Sequence, residues 1–160
     1  MAVSTWLTLG PIGTGSMGLL LLGNDAPRAF TGTKLLIYAK TASAFGPIGG
    51  LIIWGFGFWW LMMAILLTIR YVKEGLPFNM GWWGFTFPLG VYTASTIILY
   101  NITGIGFFRI AGAIFVIMLA TFWTIVTSRT LHGMWHGYLF KAPCLSAETG
   151  LPDESKECPI

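Results

Sequence analysis

One hundred and sixty residues would make one small domain, yet 55% of them are hydrophobic, 16% aromatic and only 9% charged, where soluble domains carry about 25% charged residues. That composition excludes an ordinary water-soluble fold. The nine Lys and Arg residues are scattered singly and leave a net charge of +3, so no basic face suited to nucleic acid can be assembled.

The charges bound four uncharged runs, 1–24, 41–69, 75–108 and 110–128. Three exceed the roughly 20 residues that a helix needs to cross about 30 Å of hydrocarbon, and the fourth nearly reaches it. An all-α integral membrane protein is therefore expected. Its four transmembrane helices, at about 3–23, 47–69, 81–102 and 110–128, form two hairpins within a transmembrane region 1–140. The first Lys or Arg is Arg28, beyond the first apolar run, so that run reads as a retained span rather than a cleavable signal.

The first segment combines Pro11 with Gly10, Gly13, Gly15 and Gly18 and with the hydroxyls of Thr14 and Ser16. Such a helix gains little from facing lipid and is expected inside a bundle. Its Gly13–Gly18 stretch matches G-x-G-x-x-G, but a dinucleotide fingerprint needs a preceding strand and an acid about 20 residues on. Asp25 follows Gly18 by only seven residues, which leaves close helix packing or a pore-lining surface. Residues 24–46 read as a connection whose KLLIYAK stretch lies on the membrane interface. The second segment opens at Pro47, and its 51–69 stretch is rich in Leu, Ile and Phe, each worth about −0.3 to −0.6 kcal/mol of insertion free energy. It reads as a lipid-facing helix.

In the third segment Pro88 offers no N–H to the carbonyl of Gly84, which predicts a kink there, with Gly84 at the i−4 position easing the steric conflict. Phe87, directly before the proline, is biased away from helical dihedrals. Either it fills the gap beside the kink or it plugs a pathway, with Phe85 and Thr86 beside it. The fourth segment is smooth, with Thr121, Thr124 and Thr127 on one stripe. A Pro-broken segment followed by a smoother one thus occurs twice.

Trp6, Trp54, Trp82, Trp83, Trp123 and Trp135 read as membrane-belt anchors. His132 and His136 stand four apart without a third ligand, so no metal and no cofactor is expected. Cys144 and Cys158 lie in a Pro-rich, acidic tail, 141–160, expected to be disordered. No Ser-His-Asp set, paired carboxylates or phosphate loop can be assembled, so no enzyme is expected. No charge lies inside the spans, so a conducting route here would be lined by apolar, glycine and hydroxyl surfaces and selected by width and aimed backbone dipoles. Lys and Arg are balanced across the membrane edges, so charge does not set the orientation.

The stretch NMGWWGFTFPLGVYTAST at 79–96, with its Trp pair, Phe-Pro step and spaced glycines, resembles an inner helix of the tellurite-resistance/dicarboxylate transporter family. GPIGTGSMGLLLLG at 10–23 is similar to the inner helix one hairpin earlier, most of all to that of the fungal sulfite efflux pumps. The family also holds plant slow anion channels and fungal malate permeases. The resemblance implies a ten-helix, five-hairpin fold whose proline-kinked inner helices line an anion path, this chain supplying the last four helices. It implies a phenylalanine gate, carried to Phe87 with Phe85 as fallback. It places Gly84, Thr86, Pro88 and Gly90, and Pro11, Gly13, Thr14, Gly15 and Ser16, along the pore. It further implies a small inorganic or organic anion as substrate, sulfite before malate and other C4-dicarboxylates, a homotrimer in the plasma membrane among lipid, and a cytoplasmic carboxy terminus. With six helices of that fold absent, the chain reads as the carboxy-terminal part of a longer carrier. The alternative is a non-transporting interaction subunit or an inactive truncated copy.

Overall fold

A computed structural model describes residues 2–73 and 80–135. Its elements are α1 (Ala2–Leu7), α2 (Leu9–Ala29), α3 (Leu36–Lys73), a 3-10 segment (Met80–Phe85), α4 (Thr86–Thr103) and α5 (Gly106–Trp135), with no strand among the described residues. They make four spans long and apolar enough to cross a membrane, Ser4–Ala29, Leu36–Tyr71, Gly81–Thr103 and Gly106–Trp135. Met1–Trp123 is one compact unit, and a second begins at Thr124, whose described part continues α5 to Trp135. The tail 141–160, with Cys144 and Cys158, lies outside the described residues, as does His136.

The helices run past the apolar stretches that announce them. Residues 24–46 are not a long connection: α2 continues to Ala29, α3 begins at Leu36, and most of the KLLIYAK stretch is its first turn. Charged residues end the hydrocarbon-compatible stretch but not the helix, because Lys, Arg and Asp are acceptable helix residues once outside the bilayer. Likewise Gly104 and Ile105 alone separate α4 from α5. Gly104 adopts φ 68° there, and its N–H closes on the Tyr100 carbonyl at 2.8 Å, a left-handed helix stop that suits glycine.

Proline acts where its missing N–H is felt. α1 ends at Leu7, four residues before Pro11, and the 3-10 segment yields to α4 just after Gly84, four residues before Pro88. Thr8 and Phe85 at the two junctions keep helical dihedrals, so each span is one path with an interrupted ladder. Phe87 stays inside α4 as its second residue; tertiary packing overrides the local bias against helix before proline. Pro47 does not open a helix. It lies inside α3, beside the crossing with α2, where a Cβ on Gly23 would stand 3.3 Å from its ring.

Burial separates two kinds of span. In the most apolar window of each, 44% of residues are buried for α1–α2 and for the 3-10 segment with α4, against 22% for α3 and α5. The outer helices expose Ile52, Phe56, Leu66, Ile110, Ile114 and Ile117, as a lipid-facing surface should. The inner ones approach their neighbours at backbone distance. A Cβ on Gly46 would stand 2.7 Å from the Gly23 Cα and 2.7 Å from the Leu19 oxygen, and one on Gly23 would stand 3.1 Å from the Ala42 oxygen. The two glycines therefore aim their Cα–H groups at each other's helix, a contact worth about 0.5–1 kcal/mol each. A Cβ on Gly13 would stand 2.9 Å from the Tyr92 nitrogen, which sets α2 against α4 in the same way.

Gly46→Ala is expected to lower the thermal unfolding midpoint in detergent micelles, because backbone must shift to admit the methyl. Gly55→Ala, whose Cβ would meet nothing within 4 Å, should be neutral or stabilising by about 1 kcal/mol through helix propensity.

Candidate functional site

The polar groups of the spans fall into two sets, and burial separates them. Ser16, Thr93, Ser95 and Thr96 are buried, and each hydroxyl is satisfied within the protein. The Ser95 hydroxyl donates to Ser16 Oγ at 2.7 Å, and Ser16 donates to the Gly50 carbonyl at 2.8 Å, a relay that ties α4 to α2 and α2 to α3. Thr93 donates to the Leu89 carbonyl at 2.7 Å and Thr86 to the Trp83 carbonyl at 2.8 Å. Among these, Ser16 and Thr86 are residues expected along a pore; Ser16 bonds across to α3, and Thr86 bonds back within its own span.

Beside them lies a reciprocal clasp between α3 and α4. Trp54 Nε1 donates to Thr96 Oγ1 at 2.8 Å, while the Tyr92 hydroxyl donates to the Trp54 carbonyl at 2.7 Å. The two rings stack at 5.7 Å between centroids, with Phe108 edge-on to Trp54 at 5.0 Å. Trp54 is thus a core residue, not a belt anchor. The same holds for Trp6, fully buried with Nε1 donating to Thr68 Oγ1 at 2.8 Å. A buried indole needs a partner for its N–H, and Thr68 and Thr96 supply it from other helices, a pairing that nothing local in the sequence announces. Trp83, Trp123 and Trp135 are exposed, as belt residues are.

Phe85 and Phe87, two residues apart, point to different worlds. Phe85 is 3% exposed and packs in an aromatic cluster with Trp6 at 5.4 Å, Trp82 at 5.7 Å and Phe122 at 5.8 Å. Phe87 is 67% exposed. Its ring overlies Gly10, where a Cβ would stand 3.6 Å from the Phe87 Cε1. From Gly10 the row one turn apart runs to Thr14 and Gly18, flanked by Pro11 and Gly15. Pro11, Thr14 and Gly15 are exposed, and a Cβ on Gly15 or Gly18 would meet nothing within 4 Å. On α4 the corresponding row from Phe87 passes Val91 and Ala94, both half-buried.

The expected pore residues are therefore divided. Gly13, Ser16, Phe85, Thr86 and Pro88 are buried between helices; Gly84 and Gly90 are half-buried; Pro11, Thr14, Gly15 and Phe87 form an open face. That face is narrow-sided and uncharged. Its one exposed hydroxyl, Thr14, donates to the Gly10 carbonyl at 2.8 Å, so its proton is used within its own helix. Among the described residues no group of three or more His, Cys, Asp or Glu could hold a metal.

Proline-interrupted inner spans, apolar exposed outer spans and an uncharged open face define a polytopic helical membrane protein. The chain belongs to the voltage-dependent anion channel family, whose pattern it matches over residues 1–131. Two uncharacterized transporters of Methanocaldococcus jannaschii are 40% and 38% identical to it over 142 residues, 88% of this chain and 38% of each relative. The sulfite efflux pump of Trichophyton rubrum is 36% identical over 141 residues, 87% of this chain and 37% of that protein. The chain thus spans well under half the length of the curated relatives it matches. No solved structure matches it.

The Ser16–Ser95 relay predicts a measurable coupling. Ser16→Ala and Ser95→Ala combined should destabilise by less than the sum of the single variants, with an interaction energy of about 0.6 kcal/mol as for hydrogen bonds between membrane helices. A double-mutant cycle of unfolding in mixed micelles measures it.

Proposed function

We propose that α2 and α4 are two walls of an anion pathway and that Phe87 occludes it. The observation that carries this reading is the placement of the Phe87 ring: a large apolar side chain, 67% exposed, at the head of a face otherwise built from glycine, proline and one small hydroxyl. A hydrated anion crosses an apolar constriction poorly, so a ring in the passage acts as a gate by excluding water. Rotating it away leaves a surface without charges and with few donors, on which an anion is held weakly and released quickly. Entry is helped by the basic balance of the chain, +3 overall, which raises the local anion concentration. Passage is passive or driven by the anion's gradient.

Sulfite is the preferred substrate, supported by the sulfite efflux pumps among the relatives, and C4-dicarboxylates such as malate come next. The activity is that of a complete carrier in which this chain provides two of the inner walls. Family resemblance further supports a trimer in the plasma membrane with the carboxy-terminal tail in the cytoplasm. Pro11 and Pro88 shape the walls by interrupting the ladder, and Gly84 and Gly90 flank the ring on α4.

In a complete carrier reconstituted in liposomes, Phe87→Ala should raise sulfite flux on the order of tenfold, equivalent to about 1.4 kcal/mol off the barrier. Phe85→Ala should instead cost about 3 kcal/mol of stability as a core truncation, with less folded protein and no rise in flux per molecule. Unchanged sulfite flux in Phe87→Ala at normal membrane levels would remove the gate and favour an interaction subunit.

A further inference from the structure

The turn end of the α2–α3 hairpin carries a feature that the anion pathway does not use. Around the Gly23–Gly46 crossing the two helices border an open groove of about 560 Å³, walled by Leu19, Leu22 and Ala26 of α2, Phe30 at its end, and Ala42 and Phe45 of α3. The volume falls within the about 300–1,000 Å³ of clefts that hold small ligands. It arises from the sequence directly. Glycines let the helices touch, while Ala26, Ala29 and Ala42 are too small to fill the space beside the contact.

Position and chemistry restrict the occupant. From Leu19 to Asn24, where the uncharged run ends, α2 rises about 8 Å, roughly half of the 15 Å of one bilayer leaflet. The cavity therefore straddles the boundary: Leu19, Leu22 and Gly23 line it at acyl-chain depth, and Asp25, Ala26, Ala29 and Phe30 at head-group depth. Asp25 is the one ionisable residue among those described that line it. Its carboxylate is exposed and accepts a hydrogen bond from Asn24 Nδ2 at 3.0 Å, which leaves further acceptor sites. Arg28, basic and in the last turn of α2, is three residues on and therefore a neighbour of Asp25 on the helix surface. An extended peptide entering this space would bring N–H and C=O groups against hydrocarbon walls that cannot pair them. An acyl chain needs no partner.

We propose that this cavity is a phospholipid site selective for a primary-ammonium head group. One acyl chain lies between α2 and α3, the ammonium donates to the Asp25 carboxylate, and the phosphate faces the Arg28 guanidinium. The acid and base along one helix mirror the two charges of such a head group. A choline head group carries no N–H to give Asp25, and a glycerol head group offers no cation to it.

The purified full chain in detergent is mixed with equimolar phosphatidylethanolamine and phosphatidylcholine of identical acyl chains, and bound lipid is counted by native mass spectrometry. About threefold more phosphatidylethanolamine is expected on the wild type, the equivalent of one net hydrogen bond. Asp25→Leu should bring the ratio to unity with helix content unchanged by circular dichroism. Ala42→Phe, which fills the cavity, should lower binding of both lipids. Equal binding by the wild type, a preference that survives Asp25→Leu, or full lipid retention by folded Ala42→Phe overturns the assignment. If Ala42→Phe does not fold, the Asp25→Leu ratio alone decides it.

Discussion

Backbone-to-backbone contact of α2 with both neighbours is the constraint on which the rest of the structure depends. In a bilayer the hydrophobic effect does not draw helices together, so association relies on dispersion between closely fitted surfaces and on a few hydrogen bonds. Glycine at 13, 23, 46, 50 and 57 provides the fit: at each, a Cβ would fall within 3.0 Å of an atom of a neighbouring helix. The cost is low helix propensity, about 1 kcal/mol per glycine, which only a helix held on two sides can bear. That is why the glycine- and proline-rich segments are the inner ones, and why α3 turns Gly46, Gly50 and Gly57 toward α2 and α4 while Ile52, Phe56 and Leu66 stay exposed.

Close approach alone leaves rotation about the helix axis undetermined. The hydroxyl relay through Ser95, Ser16 and Gly50 and the Trp54–Tyr92–Thr96 clasp fix it, because each bond crosses between helices and tolerates little turning. Turning α4 about its axis would move the Phe87 ring from its place over Gly10. The exposed position of that one ring therefore depends on polar contacts between one and three turns away. Polar residues in these spans orient the helices, and the open face itself is left almost without them.

How far the sequence discloses this differs by feature. Number of spans, their inner or outer character and the family were legible, since charge spacing, glycine and proline content and the Phe-Pro step are local properties of the chain. The ends of the helices were not, because charges at Asp25, Lys40 and Arg109 mark the limit of the hydrocarbon and a helix can continue into the head-group region, as α2, α3 and α5 do. The division of the pore candidates was equally hidden. Ser16 and Thr14 are both small hydroxyl residues two apart on α2, and only the position of α4 makes one a buried relay and the other a surface group. The burial of Trp54 and Trp6 is hidden for the same reason: their partners, Thr96 and Thr68, are distant in sequence.

The division also bears on selectivity in the proposed pathway. A site that recognises an anion by donated hydrogen bonds must keep donors unspent and aimed at it, and replacing one ligand by another then costs the pairing of those donors. On the face below Phe87 the Thr14 proton is already given to Gly10, and glycine and proline offer no side-chain donor. Discrimination between sulfite and a dicarboxylate cannot rest on pairing there, and falls to the width of the passage and to the ring that closes it. A gate of this kind excludes by size and hydration, so one scaffold can serve different anions by altering the bulk around the ring at Val91, Ala94 and Gly90 while the buried relay and clasp stay unchanged.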